Sequence, residues 1–106
     1  MSPTGNGLTG AVTTSLEHDT TAHQYRLVRD GETLSMADYR PLDDGVTLVF
    51  HHTLTTPRHR GNGYAAALVG QALDDARAGG HKVVASCWFV DEYMQLHREY
   101  DDLRVR

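Results

Sequence analysis

Apolar residues recur at intervals of three and four between residues 62 and 78, which is the spacing of one face of an α-helix. The apolar positions are Ala65, Leu68, Val69, Ala72, Leu73 and Ala76. Gly79 and Gly80 follow directly and predict the end of this helix. A second helix is predicted from about Val90 to Arg98, because bulky residues repeat there at helical spacing. These residues are Phe89, Tyr93, Leu96 and Tyr100.

Four segments have the composition of β-strands. Residues 23–29, 32–40 and 46–55 alternate in polarity or contain β-branched and aromatic residues. Asp30-Gly31 predicts a type I′ hairpin between the first two, and Pro57 ends the third because proline cannot donate to a sheet ladder. The fourth, residues 81–87, is short and apolar and is expected to run parallel to the third.

The order of the predicted elements is β-β-β-α-β-α, with a right-handed β-α-β crossover near its end. This order predicts an α/β (α+β) fold with a mixed, mostly antiparallel sheet. Residues 1–14 are rich in glycine, threonine and serine, and we expect a disordered N-terminal tail there. Residues 15–106 are expected to form one domain.

The composition and net charge exclude several classes of protein. The 106 residues are 40% hydrophobic and 23% charged, as in ordinary globular domains. No run of about 18 apolar residues is present, so we expect no membrane span. The N-terminus lacks a basic segment followed by an apolar one, so we expect no secretory signal. The single cysteine, Cys87, fits a reducing cytoplasm. The net charge of −4 argues against direct binding of nucleic acid.

Residues 58–63, Arg-His-Arg-Gly-Asn-Gly, join the third strand to the first helix. The first turn of a helix has N–H groups without intrahelical partners and carries partial positive charge, which favours an anion. Gly61 and Gly63 leave room for a phosphate, whereas Arg58 and Arg60 add positive charge. Two glycines alone would indicate only a turn. The two arginines favour anion binding, because we expect no acidic partner near the loop.

A dinucleotide-binding fingerprint is the competing interpretation, since residues 61–66 match G-x-G-x-x-A. Basic residues separate this segment from its strand, and no acidic residue stands about 20 positions further on to bind a ribose. The chain also lacks further β-α units after the second helix. We therefore reject the dinucleotide interpretation.

Arg58, Gly61 and Gly63 form R-x-x-G-x-G, which resembles the acetyl-CoA pyrophosphate loop of the GNAT superfamily of acyl-CoA N-acyltransferases. Residues 16–103 as a whole resemble the compact single-domain GNAT-like family. The further matching residues, in order, are His52-Thr53, Thr56-Pro57, Ala66-Ala67-Leu68-Val69, Ala76-Arg77, Gly80, Lys82-Val83-Val84, Ser86-Cys87, Phe89-Val90, Tyr93 and His97-Arg98-Glu99-Tyr100. The chain departs from the family at Ala85 and Arg98, where the family has proline.

The resemblance implies a minimal GNAT-type fold and a site for acetyl-CoA. In the superfamily the loop N–H groups hold the pyrophosphate, and main-chain groups of the preceding strand contact the pantetheine and thioester. The residues implied for binding the cofactor are Thr53, Leu54, Thr55, Arg58, His59, Arg60, Gly61, Asn62, Gly63, Tyr64 and Ala65.

Acetyl transfer to an amine requires a base or a water path, because amines are mostly protonated at neutral pH. The candidates are His51, His52 and His97. In a regular strand His52 would share a face with Phe50 and Leu54, where a buried core histidine is the common outcome. The resemblance at His52-Thr53 implies an active role, and the core histidine remains the alternative. The spacing of the histidines and the one cysteine predicts no metal site.

Cys87 and Tyr93 are the other catalytic candidates. The field of the last helix should lower the pKa of the Cys87 thiol, which would form an acyl intermediate or line the thioester pocket. The alternative is a small buried residue at a strand end. Tyr93 lies where many GNAT enzymes place a tyrosine that protonates the departing thiolate, and the alternative is a core aromatic residue.

The resulting hypothesis is an acetyl-CoA-dependent N-acetyltransferase that modifies a primary amine. Short turns stand where larger relatives have helices, so an open acceptor site is expected, suited to a protein or peptide amine. The acidic residues favour a basic, lysine-rich acceptor. They are Asp43, Asp44, Asp91, Glu92, Asp101 and Asp102. A CoA-binding or acyl-CoA-sensing module without turnover, and an interaction domain that binds another phosphate, are the alternatives.

Overall fold

The computed structural model describes residues 13–105, so the predicted tail at residues 1–14 lies almost wholly outside the described residues. The strands and helices are β1 (Ser15–Asp19), β2 (Gln24–Arg29), β3 (Glu32–Pro41), β4 (Thr47–Thr55), α1 (Tyr64–Ala78), β5 (Lys82–Ala85) and α2 (Trp88–Leu96). Short 3₁₀ helices cover Pro57–His59 and Arg98–Leu103.

The five strands form one sheet in the order in which they occur along the chain. β1 to β4 pair antiparallel, and β5 pairs parallel to β4 after the α1 crossover. Asp30 and Gly31 have φ values of 52° and 78°, as a type I′ turn requires. The predicted α/β class, the mixed sheet and the parallel return of the last strand are confirmed.

β1 was not among the predicted strands. Its residues are mostly exposed, and Leu16 is its single aliphatic side chain. Among residues 13–105, β1 pairs only with β2 and lies at the edge of the sheet. An edge strand is stabilised by main-chain hydrogen bonds to one neighbour and needs no continuous apolar face. Its sequence therefore carries no strong strand signal.

The core lies between α1 and one face of the sheet. Five of the six predicted apolar positions of α1 are buried, as the helical spacing indicated. α2 differs from its prediction because it begins at Trp88 and buries Val90 and Met94. Leu96, which was predicted to lie on the same stripe as Tyr93, is 73% exposed.

A β-bulge in β4 changes which side chains face the core. Tyr39 pairs with Phe50, but the preceding residue Asp38 pairs with His52, so His51 is the extra residue. Cross-strand pairs share a face, and successive residues of β3 point to opposite faces. His52 therefore lies on the face opposite Phe50. The prediction that His52 shares a face with Phe50 is wrong, and the bulge is the physical reason.

Candidate functional site

β4 and β5 separate after four paired residues. Phe50 and Ala85 form the last pair, and the Phe50 carbonyl accepts hydrogen bonds from the N–H groups of Ser86 and Cys87, both at 2.9 Å. β4 then continues to Thr55 while the other segment turns into α2. The edge of β4 beyond Phe50 therefore faces no strand on this side within residues 13–105.

An open cavity of about 480 Å³ occupies this divergence. It brings together residues that are distant in the sequence, from β4, the glycine loop and the start of α2. The lining residues are His51, His52, Thr53, Leu54, Thr55, Arg60, Ala65, Ser86, Cys87, Trp88 and Phe89. Ala85, one of the two departures from the family pattern, is held in the β4–β5 ladder directly before the cavity.

The glycine loop ends at the N-terminus of α1. Gly61 and Gly63 have φ values of 87° and 76°, a left-handed conformation that favours glycine. A methyl group at either position would meet no atom within 4 Å, so the space over the loop is open. The N–H groups of residues 61–66 donate to no group in the described part of the chain. The loop thus presents consecutive free donors at a helix N-terminus, as an anion site requires.

The two arginines of the loop have different surroundings. Arg58 lies 3.4 Å from the Glu32 carboxylate, and the nearly buried His59 places Nε2 3.0 Å from the same oxygen. Contact with His59 and the charge of Arg58 hold the pKa of Glu32 below its usual range. The prediction that no acidic group is near the loop is therefore wrong, because the β2–β3 hairpin brings Glu32 to it. Arg60 lines the cavity and forms no ion pair within residues 13–105.

Residues of β2 and β3 make hydrogen bonds to the end of the glycine loop. The Ser35 hydroxyl donates to the Tyr64 carbonyl at 2.9 Å, and Arg29 donates to the Tyr64 hydroxyl at 2.9 Å. Asn62, a predicted cofactor residue, donates from its side chain to the His59 carbonyl at 3.0 Å. Glu32, Arg29 and Ser35 were absent from the predicted site, because they precede the loop by about 30 residues and no local pattern marks them.

Cys87 caps α2 and is 8% exposed at the cavity. Its Sγ lies 3.3 Å from Thr53 Oγ1. Burial raises the pKa of the Cys87 thiol, but contacts with the Thr53 hydroxyl and with the main-chain N–H groups of Val90 and Phe89 outweigh burial and lower it. The sequence placed Cys87 at a helix start, and the structure adds Thr53 as its neighbour.

The histidines lie in different places. His52 is half exposed at the cavity, with Nδ1 3.2 Å from the Asp38 carboxylate, so it is not a core histidine. His51 is exposed at the bulge and also lines the cavity. His97 lies at the end of α2, where its Nδ1 approaches the Tyr93 carbonyl at 2.8 Å.

Tyr93 is separated from the cavity that contains Cys87. It lines a smaller apolar cavity of about 230 Å³ between α1 and α2, which shares Phe89 with the larger one. Its ring stacks on His97 at 3.9 Å, and its hydroxyl lies against Gly70. Burial, together with the charges of Glu99 and Asp74, raises the pKa of Tyr93.

The residues present fit the cofactor that the sequence resemblance implies. Acetyl-CoA has an anionic pyrophosphate and a long polar arm that ends in a thioester. The free N–H groups of residues 61–66 and the Arg60 side chain match the pyrophosphate. The unpaired edge of β4 beyond Phe50 offers main-chain groups to the arm, and the cavity is large enough for its end.

No group of three or more potential metal ligands occurs within residues 13–105. In the same range, no helix combines the length and apolar character needed to cross a membrane.

The comparisons with known proteins concern both sequence and fold. A family model described as GCN5-related N-acetyl-transferase matches residues 24–103. The NMR solution structure of a GCN5-like protein from Staphylococcus aureus has a TM-score of 0.60 and 19% identity, covering 86% of this chain and 87% of that chain. At this identity the likeness supports the fold.

A second solved structure, of a GNAT-family protein from Desulfovibrio desulfuricans, has a TM-score of 0.49 and 19% identity. It covers 57% of this chain and 40% of that chain. No curated protein matches the sequence.

Proposed function

We infer the function from one premise: the chain belongs to the GCN5-related N-acetyl-transferase family, whose model matches residues 24–103, and it is an acyltransferase of the GNAT type. We propose that it uses acetyl-CoA and transfers the acetyl group to a primary amine. Acetyl-CoA supplies the activated thioester, and the chain supplies the binding site, the orientation and the movement of protons.

One observation carries this proposal. The loop of free N–H groups at residues 61–66 adjoins the divergence of β4 and β5, and the cavity in that divergence contains Cys87. An anion held on the loop would therefore lie beside a cavity with a free strand edge. Gly61 and Gly63 would cradle the pyrophosphate, and Arg60 would neutralise it, because Arg58 is already shared with Glu32.

For the acceptor, we propose the amine of a protein or peptide, in particular a lysine side chain. The openness of the cavity supports an acceptor carried on a large molecule. Trp88 lines the cavity and is 73% exposed, and an indole face attracts an ammonium group. The acidic residues are weaker support for a basic acceptor than the sequence alone indicated, because half of them are already paired. Asp91, Asp101 and Asp102 pair with arginines of this chain.

We propose direct attack of the amine on the thioester as the mechanism. A Cys87 acyl relay is the alternative, and comparing the activity of Cys87→Ser with that of the wild type distinguishes the two.

We also propose a cytoplasmic location, because Cys87 is a free thiol and its reactivity requires the reduced state.

The test is a calorimetric titration with acetyl-CoA, followed by mass spectrometry of a lysine-rich peptide incubated with enzyme and cofactor. Gly61→Ala forces an alanine into the left-handed region, so we expect binding to weaken about tenfold or more. Gly45→Ala is the matched control, since Gly45 has a φ of 72° and equally open surroundings in the turn before β4.

Binding that Gly61→Ala weakens and Gly45→Ala preserves, together with an acetylated peptide, supports the proposal. Binding without acetylation of any amine in a broad panel favours a CoA-binding or sensing module. A folded wild-type protein that does not bind acetyl-CoA contradicts the proposal altogether.

A further inference from the structure

Asp38 of β3 and His52 of β4 are paired across the sheet beside the cavity. Their side chains share a face, and Asp38 Oδ2 lies 3.2 Å from His52 Nδ1. His52 lines the cavity that contains Cys87. We propose that Asp38 is a positioning residue that orients His52 as the general base for the acceptor amine. This inference rests on the proposed acetyl transfer.

The Asp38 carboxylate is itself held in place. Gln24 Nε2 donates to Asp38 Oδ1 at 2.7 Å, and Gln24 Oε1 accepts from Arg26 at 2.8 Å. Arg26 in turn pairs with Asp19 at 3.4 Å. This chain of contacts crosses β2, β3 and β4 on the face opposite α1. Each oxygen of Asp38 therefore has a separate partner, and the oxygen directed at His52 is fixed.

The contact selects one tautomer of His52. A carboxylate oxygen accepts hydrogen bonds, so a neutral imidazole beside Asp38 keeps its proton on Nδ1. The other nitrogen, Nε2, then retains its lone pair and accepts a proton. A histidine held by a carboxylate in this way is the arrangement that serves as general base in hydrolase triads.

The proton balance of the step is simple. The ammonium form of the acceptor first loses one proton to solvent. The lone pair of the neutral amine then forms the bond to the acetyl carbon, a second N–H bond breaks, and its proton moves to His52 Nε2. The carbon–sulfur bond breaks, and its electron pair leaves on sulfur. The resulting imidazolium is stabilised by the Asp38 carboxylate and returns its proton to solvent.

Other titratable groups face the same cavity. They are His51 on β4, Arg60 from the glycine loop and Cys87 at the start of α2. Within residues 13–105, Asp38 is the acidic residue at ion-pair distance from His52. Asp38 is therefore the carboxylate placed to orient the His52 ring.

Asp38→Asn tests whether Asp38 orients His52, because the hydrogen bond from Gln24 fixes the orientation of the new amide. Gln24 Nε2 donates to the position of Oδ1, so the amide oxygen stays there and the amide nitrogen faces His52. That nitrogen donates a hydrogen bond, which moves the imidazole proton to Nε2 and removes the basic lone pair. Asp43→Asn is the matched control, since Asp43 lies in the turn before β4 and outside the cavity.

The nitrogen NMR chemical shifts of the His52 ring identify its tautomer in the absence of substrate. We expect the Nδ1–H form in the wild type and in Asp43→Asn, and the Nε2–H form in Asp38→Asn. In the transfer assay we expect kcat to fall at least tenfold in Asp38→Asn and about a hundredfold or more in His52→Gln, with an unchanged KM for acetyl-CoA.

An Nε2–H tautomer in the wild type, or an Asp38→Asn enzyme with wild-type kcat, overturns the inference. If the wild type acetylates no amine, the proposed function fails, and the tautomer measurement still decides whether Asp38 orients His52. Circular dichroism and the Tm of each variant confirm that it is folded.

Discussion

The thiol of Cys87 lies 3.3 Å from the hydroxyl of Thr53, although 34 residues separate them. The β4 bulge makes this contact possible, because it turns Thr53 to the same face as Phe50. The hydroxyl lowers the pKa of the thiol against the effect of burial, and the main-chain N–H groups of Val90 and Phe89 act in the same direction. Thr53 thus contributes a side chain to the site, in addition to the main-chain groups expected of β4.

Thr53→Val should raise the pKa of the Cys87 thiol, since a methyl group replaces the hydroxyl that stabilises the thiolate. The rate of alkylation by iodoacetamide, measured over roughly pH 6–10, gives the pKa of the thiol. We expect the midpoint to move to higher pH and alkylation near neutral pH to slow several-fold. Thr55→Val, which also lines the cavity but has no contact with the thiol, should retain the wild-type profile. A Thr53→Val profile identical to wild type would contradict the role of the hydroxyl.

Glu32→Gln should make stability less dependent on pH. The pKa of Glu32 is lowered in the folded protein, so its contribution is fully present above the unfolded value near 4.5 and is lost as pH falls through the folded value. We expect the Tm of wild type to exceed that of Glu32→Gln at pH 7, and the difference to disappear at acidic pH. Thermal melts across this range measure it. A difference that is constant with pH would show that the carboxylate charge is not responsible.

Gly70→Ala should loosen the packing of α1 on α2. The new methyl carbon would lie 2.5 Å from the Tyr93 hydroxyl, and overpacking of this kind costs about 1–3 kcal/mol. The cost should shrink in a Tyr93→Phe background, where the clashing oxygen is absent, Cζ remains 3.4 Å from the methyl carbon, and alanine improves helix propensity by up to about 1 kcal/mol. Urea unfolding of the two single variants and the double variant gives the coupling. Additive effects would refute the contact.

Trp88→Ala should raise the KM for a lysine peptide while leaving the KM for acetyl-CoA unchanged. This expectation follows from the proposed acceptor, since the exposed indole lies at the cavity and attracts an ammonium group. A loss of about 0.5–2 kcal/mol corresponds to a two- to thirtyfold increase in KM. Leu96→Ala is the control, because Leu96 lies on the same helix and is equally exposed at 73%. Equal effects of the two variants would argue against acceptor binding by Trp88.

Local patterns were sufficient for most of the fold. Helical spacing identified α1, and the glycines identified its end. The turn at Asp30-Gly31 was predicted from its dipeptide because both residues need positive φ. Alternation failed at two places, His51 in β4 and Leu34 in β3, where the strand pairing skips a residue. A bulge adds a residue without any sequence signal, so the residues on its two sides no longer alternate in register.

The sequence by itself determined the order of the elements around α1, the phosphate loop and the identity of Cys87 and His52 as candidates. These depend on residue type and on spacing along one segment. Only the tertiary structure decided which residues surround them: Glu32 beside Arg58, Thr53 beside Cys87 and Asp38 beside His52. These partners come from different strands, and strand register depends on pairing between distant segments. A hairpin turn and the hydrophobic pattern specify register near the turn, but the bulges in β3 and β4 shift it without a sequence signal, so these contacts follow only once the sheet has formed.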